Sequence, residues 1–80
     1  MTVEVLLFAS LRDAVGRTIA VEVPEPATVT SLRRALEAAH PAIALYGTRA
    51  KVAVNEAWAK ETDSVAPGDT VALLPPVAGG

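Results

Sequence analysis

One segment with helical periodicity stands among short segments that alternate apolar and polar residues, and this arrangement limits the possible folds more than any other feature. Thr28 is a good N-cap, and the helix it starts should end near His40, before Pro41. Residues that share the expected apolar stripe are Val29, Leu32, Ala35, Leu36 and Ala39. Arg33, Arg34 and Glu37 are predicted to point outward to solvent.

Strands are predicted on both sides of this helix, at 3–9, 18–23, 51–54, 57–60 and 70–74. The order of elements predicts an α+β roll, with a mixed sheet of four to five strands and one main helix packed on one face. We place the first and last strands side by side at the centre of the sheet. Eighty residues allow one domain, 1–74, followed by an extended tail, 75–80.

The connections carry recognisable turn residues. Ser10 could cap a short helix that Gly16 ends in the left-handed conformation. Asn55-Glu56 and Pro67-Gly68-Asp69 are turn sequences. Residues 41–49 predict only a connection.

The second face of the predicted sheet is also apolar, although a solvated face should be polar. Leu6, Phe8 and Leu74 should form an exposed apolar patch where the tail leaves the domain. Such patches mark partner sites, so we expect an interface there. The alternative is that Trp58 or the 41–49 connection folds over the patch.

The sequence contains few groups that could run a reaction. It has no cysteine, so it has no disulfide or thiolate metal site, and we expect no metal. His40 is the only histidine, and a place at the helix C-terminus explains it better than a role as a base. The serines have no histidine placed to activate them, and the glycines do not match a phosphate loop. We expect no catalysis from this domain alone.

Charge and hydropathy exclude further classes. The formal net charge is −2 with both signs interspersed, which argues against nucleic acid as the main partner. The sequence shows no leader and no membrane span, which predicts a cytoplasmic protein with no membrane partner.

The last two residues, Gly79 and Gly80, follow the stiff uncharged run LLPPVA. At a background glycine frequency of roughly 7%, such a pair arises by chance about 0.5% of the time. The carboxylate of Gly80 is uncrowded and could attack an activated phosphate. Pro75 and Pro76 keep the base of the tail extended, and residues 75–80 could reach about 20 Å into a partner.

Four segments together carry a family resemblance: VLLFASLRDAVG, TVTSLRRALEAAHP, VAVNE and APGDTVALLPPVAGG. The whole chain resembles the small, sulfur-carrying subunits of molybdopterin synthase, which are ubiquitin-like β-grasp proteins. The last segment is the specific one, because a Gly-Gly pair alone is a weak signal.

The resemblance implies a chemistry for Gly80. A ubiquitin-activating-type adenylyltransferase would adenylate it with ATP and Mg²⁺, and a sulfur donor would convert it to a thiocarboxylate. The tail would then enter the large subunit of molybdopterin synthase, in a heterotetramer, and deliver sulfur to a cyclic pyranopterin. The tail residues that would enter are Pro75, Pro76, Val77, Ala78 and Gly79. This chain itself would bind no cofactor.

The resemblance also bears on the interface and leaves alternatives open. By position, Phe8 and Leu74 match the family's hydrophobic contact with both partners. Relatives often have an aromatic residue before the Pro-Pro pair, where this chain has Leu73-Leu74. A carrier for thiamine or tRNA thiolation, and a protein modifier joined through Gly80 to lysines, would use the same adenylate. A binding module with an inert tail is a third reading.

Overall fold

The computed structural model describes residues 1–76, which form one five-stranded sheet, one two-stranded sheet and a layer of helices. The strands are β1 (Thr2–Leu7), β2 (Thr18–Glu22), β3 (Ala27–Thr28), β4 (Lys51–Val54), β5 (Ala57–Trp58), β6 (Ser64–Val65) and β7 (Val71–Leu74). The helices are α1 (Ala9–Val15), α2 (Val29–Ala39) and α3 (Pro41–Ala44), with a 3₁₀ turn at Gly47–Arg49.

The main sheet has the strand order β2-β1-β7-β4-β5. β1 and β7 pair in parallel, with Leu7 beside Leu73, and the other pairs are antiparallel. The first and last strands therefore lie together at the centre, as the sequence predicts. The mixed sheet and the single long helix confirm the α+β prediction. The small β3–β6 pair was not predicted, because two-residue strands leave no periodic pattern.

Helix α2 begins as predicted, with a capping box. The Thr28 hydroxyl accepts from the Ser31 N–H at 3.2 Å, and the Ser31 hydroxyl accepts from the Thr28 N–H at 2.9 Å. Its apolar stripe packs on the sheet through Val29, Leu32 and Leu36, which are fully buried. Ala39, predicted to belong to this stripe, is exposed, because it lies in the last turn, beyond the packed part of the helix.

The prediction for Arg33 is wrong, since only 6% of this residue is exposed. Its Nε and Nη2 donate to the two carboxylate oxygens of Glu61, at 3.0 and 2.8 Å. Its Nη1 donates to the carbonyls of Gly47 and Ala50, both at 2.8 Å. Burial of the guanidinium is possible because every one of these contacts satisfies a donor. Arg33 thus joins α2 to two loops.

The short helix α1 differs from its prediction at both ends. Phe8 is the residue that precedes it, and Ser10 lies inside it and provides no cap. The Ser10 hydroxyl is instead hydrogen-bonded to the Tyr46 hydroxyl at 2.7 Å. Gly16 ends the helix with φ = 117°, which suits glycine, but its ψ of 171° is not that of the left-handed helical conformation.

The 41–49 connection is more ordered than its sequence predicts. It forms α3 and the 3₁₀ turn, and α3 packs against α1 and α2. Its anchor is Ile43, which is fully buried in the core. The connection therefore extends the helical layer.

Asn55 and Glu56 form the predicted turn, with φ of 52° and 67°.

Candidate partner-binding face

The outer face of the main sheet is the face turned away from α2. The strand register places one residue from each strand in a row across it: Thr18, Leu6, Ala72, Ala53 and Trp58. Successive residues of a strand point to opposite faces, so these residues alternate with the core residues Leu7, Val52 and Val71. The floor of this face is formed by alanines, with larger apolar side chains on either side.

Leu6, Phe8 and Leu74 form the apolar patch at one end of this face. Leu6 is 41% exposed and Phe8 42% exposed, and Leu74 is half-buried. Phe8 has an extended backbone that continues β1 past Leu7, and Leu74 follows Leu73 on the adjacent strand. The structure therefore brings all three predicted residues together. Their role in binding a partner stays a prediction.

Neither of the two predicted covers lies over the apolar patch. Trp58 is 69% exposed and stands on β5, so β4 and β7 separate it from β1. The 41–49 connection packs with the helices, on the opposite side of the sheet. Half-exposed large apolar side chains on a regular sheet are typical of a surface that another protein covers.

Trp58 itself was missed as a candidate for this face. Its register with Ala53 places it in the outer row, at the edge of the sheet. The sequence does hold a signal, because a two-residue turn at 55–56 fixes which residues of the two strands are opposite each other. Trp58 enlarges the apolar face beyond the three predicted residues.

The root of the tail adjoins the apolar patch. β7 ends at Leu74, which is opposite Lys51 of β4, and it is followed by the half-buried Pro75 and the exposed Pro76. The other predicted tail residues, Val77, Ala78, Gly79 and Gly80, lie outside the described residues. A partner that covers the patch would thus meet the chain at the point where the tail begins.

Two carboxylates among residues 1–76 have pKa values below their ordinary range. Hydrogen bonds and the charge of Arg33 lower the pKa of Glu61, against the opposing effect of partial burial. The backbone N–H of Ala66 and the side chain of Asn55 donate to Asp69 and lower its pKa. These hydrogen bonds explain both carboxylates without a role as a base.

Residues 1–76 hold no group of three or more His, Cys, Asp or Glu side chains that could bind a metal ion. None of their helices has the length and apolar character needed to cross a membrane. An open cavity of about 550 Å³ lies along β1 on the outer face, and it extends from Asp69 and Thr70 past Glu4 to Thr18 and to Leu6 of the apolar patch.

Comparison with known proteins gives consistent matches over the whole chain. Residues 5–80 match the model of the ThiS family. The chain is 32% identical to the human molybdopterin synthase sulfur carrier subunit, over 98% of this chain and 93% of that protein. It is 39% identical to small archaeal modifier protein 1 of Haloferax volcanii, over 92% of this chain and 95% of that protein.

Solved structures share the fold. The crystal structure of the Haloferax volcanii modifier superposes with a TM-score of 0.85 at 37% identity, and each chain is covered completely. A chain in the complex of subunits 1 and 2 of the molybdopterin-converting factor from Helicobacter pylori has a TM-score of 0.69 at 23% identity, again with complete coverage of both chains. These likenesses agree with the β-grasp architecture.

Proposed function

This chain belongs to the ThiS family, and on that premise we propose that it is a sulfur carrier in molybdenum cofactor biosynthesis, with Gly80 as the reacting residue. The observation that carries the proposal is the position of the apolar patch, directly beside the root of the tail on the central strand β7. A carrier needs both parts together, because its partner must hold the domain and receive the tail at the same time.

The chemistry would proceed at the carboxylate of Gly80. One carboxylate oxygen attacks the α-phosphate of ATP held with Mg²⁺ by an adenylyltransferase, and pyrophosphate leaves. Sulfide from a sulfur donor then attacks the acyl carbon and displaces AMP, which leaves a thiocarboxylate. Glycine suits both steps because it has no side chain to crowd the acyl carbon. ATP and Mg²⁺ belong to the partner in this scheme.

The residues around the tail root would bind and orient. Leu6 and Phe8 offer half-exposed apolar area, and burying such area against a partner contributes about 25 cal/mol per Å². Pro75 and Pro76 restrict φ at the start of the tail, so less conformational entropy is lost when the tail enters a channel. The large subunit of molybdopterin synthase is the proposed receiver, in a heterotetramer.

The first experiment is intact-mass analysis of the chain after incubation with its adenylyltransferase, ATP, Mg²⁺ and a sulfur donor. We expect a species in which one oxygen at Gly80 has been exchanged for sulfur. A variant that lacks Gly80 is the control and should show no such species. A chain that keeps an unmodified carboxylate under all of these conditions would contradict sulfur carriage.

A second experiment tests the pathway. The thiocarboxylated chain is mixed with the large subunit and cyclic pyranopterin, and formation of molybdopterin is measured. The unmodified carboxylate form is the control. A thiocarboxylate that forms but yields no molybdopterin would favour a carrier for thiamine or tRNA thiolation.

The similarity to small archaeal modifier protein 1 favours a second candidate function, attachment to other proteins. Gly80 would then form an isopeptide bond with a lysine of the target after the same adenylation. This function predicts conjugates of higher mass in cell extracts, and these should disappear when Gly80 is deleted. Both functions could belong to one chain, because the activated acyl group is common to them.

A further inference from the structure

The charges of this chain are sorted between the two ends of the main sheet. We call one of them the exit end, where the tail leaves, and define it as residues 8–18, 47–51 and 59–63. β1 and β7 both end there because they are parallel, and β2 and β4 begin there because each is antiparallel to its neighbour. The Leu7 N–H donates to the Arg17 carbonyl, and the Ala59 N–H donates to the Val52 carbonyl, which fixes these loops at that end.

Five of the seven basic residues lie at the exit end, and all five are exposed: Arg12, Arg17, Arg49, Lys51 and Lys60. The acidic residues there are Asp13, Glu61 and Asp63, and Glu61 is already paired with Arg33. Only Arg34 among the exposed basic residues lies elsewhere, on α2. The exit end is therefore net positive on a chain that is negative as a whole.

The opposite end of the sheet is acidic. Glu22, Glu25, Glu56 and Asp69 lie on the strand ends and turns there, and Glu4 lies inside β1 near its start. Residues 1–5, 20–26, 53–58 and 64–71 contain no lysine or arginine. The amino group of Met1 is the one cation recorded among them, 3.9 Å from Glu22 and 4.0 Å from Glu25. The domain is thus an electrostatic dipole whose positive end carries the tail.

We infer that the exit end docks on a protein whose tail-receiving channel has an acidic rim. This inference rests on the proposed function, and it adds the charge of the surface that surrounds the channel mouth. Complementary charge steers two proteins into the orientation in which their patches meet, and it raises the association rate. The dipole orients this chain with the tail foremost.

The positions of two basic residues would allow the acidic rim of the partner's channel to contact this chain on both sides of β7. Strands lie about 4.8 Å apart, so Arg17 on the β2 side is about 10 Å from β7 and Lys51 on β4 is about 5 Å from it. Lys51 is directly opposite Leu74 of the apolar patch. The positive charge is therefore continuous with the apolar surface that the partner would cover.

Arg49 shows that part of this charge is held in place. Its Nη2 donates to the Leu45 carbonyl at 2.7 Å, and its Nε donates to the Tyr46 carbonyl at 3.1 Å. A guanidinium fixed in this way loses little rotamer freedom when a carboxylate binds to its remaining donors. A protein partner is favoured over nucleic acid because Asp13 and Asp63 interrupt the basic residues.

The test is stopped-flow association of the full chain with the large subunit of molybdopterin synthase, at low and high ionic strength. The double variant Arg17→Glu with Lys51→Glu should associate about tenfold more slowly than the wild type at low salt. The control Arg34→Glu reverses one charge on α2, outside the segments that define the exit end, so it changes the net charge half as much as the double variant. It should change the rate less than about twofold. At about 0.5 M salt the three rates should converge, because screening shortens the reach of the charges.

Each other outcome would overturn the inference. Slowing by about threefold or more in Arg34→Glu would mean that net charge matters and its location does not. Slowing that persists at high salt would mean that Lys51 acts by direct packing. Tight binding of the wild type to a duplex oligonucleotide, lost in the double variant, would assign the exit end to nucleic acid. Thermal melts confirm that the variants fold.

The two proposals can fail separately. If the thiocarboxylate forms and delivers sulfur but the association rate does not depend on ionic strength, only the acidic rim is contradicted. If the wild type does not associate with the large subunit at all, the acidic rim and the molybdopterin pathway are both contradicted, whereas the mass experiment still decides sulfur carriage.

Discussion

The two faces of the main sheet are built from the same strands, yet they differ in what covers them. On the inner face, Leu7 and Leu73 are buried beneath the helical layer. On the outer face, their immediate neighbours Leu6, Phe8 and Leu74 retain exposure. The inner face is completed within the chain, whereas the outer face has apolar side chains and no element of residues 1–76 to cover them. This difference is what the proposed partner interface on the outer face requires.

The largest expected change in the free energy of unfolding comes from truncating a side chain on the inner face. Leu73→Ala should lower the free energy of unfolding by about 3 kcal/mol, because Leu73 is fully buried and the cavity cannot collapse easily. Chemical denaturation measures this. The matched control is Leu74→Ala, one residue along the strand, which should cost less than about 1 kcal/mol. Equal losses would mean that the two faces are not distinct.

Removing the buried guanidinium should have the next largest effect. Arg33→Met keeps the length of the side chain but removes the donors to Glu61 and to the carbonyls of Gly47 and Ala50. We expect a loss of about 2–3 kcal/mol in unfolding free energy, since unsatisfied polar groups remain behind. Arg34→Met is the control, and it should change stability by less than about 0.5 kcal/mol. An unchanged free energy of unfolding in Arg33→Met would show that the hydrogen bonds of Arg33 add no stability.

A charge placed on the outer face should separate binding from folding. Phe8→Asp should weaken partner binding by about 2 kcal/mol, because it removes a central apolar contact and buries a carboxylate. Titration calorimetry against the large subunit measures the affinity, and a thermal melt measures the fold. If Phe8→Asp unfolds the chain, then Phe8 belongs to the core and the contrast between the faces is wrong.

The smallest expected effect is the pH dependence that Glu61 adds. Its native pKa lies below the ordinary value of 4.5, so the unfolded chain binds the proton first as the pH falls. Its stabilising contribution is therefore complete above about pH 5 and is lost as the pH falls through the native pKa. We expect a total below about 1 kcal/mol, since the Glu61 side chain is 41% exposed and solvent screens the pair. Glu61→Gln should flatten the acid limb of stability against pH, and an unchanged slope would contradict this.

Local signals were sufficient for much of the fold. The Thr28 cap, the period of α2 and the turn at Asn55 are encoded within a few residues, so each could be predicted directly. The apolar patch could also be predicted from the sequence, because Leu6 and Phe8 alternate with buried residues of the same strand. What the patch is for depends on family membership, since exposed apolar area alone names no partner.

The features that were predicted wrongly or not predicted share a physical cause. Arg33 is bound to groups 14, 17 and 28 residues away, and no local period can reveal such partners. Ile43 is in the core although its segment is too short and too rich in alanine for a clear pattern. Ser10 has the chemistry of a cap, but Tyr46, 36 residues later, is its partner.

By itself the sequence determined the fold class, the course of α2 and the apolar character of both sheet faces, because these follow from residue periods and caps that act over short distances. Only the tertiary structure decided that Arg33 is a buried clamp, that Trp58 joins the outer face, and that five scattered basic residues gather where the tail leaves. Those arrangements depend on strand order and register, which join residues far apart in the chain and leave no mark on any one segment.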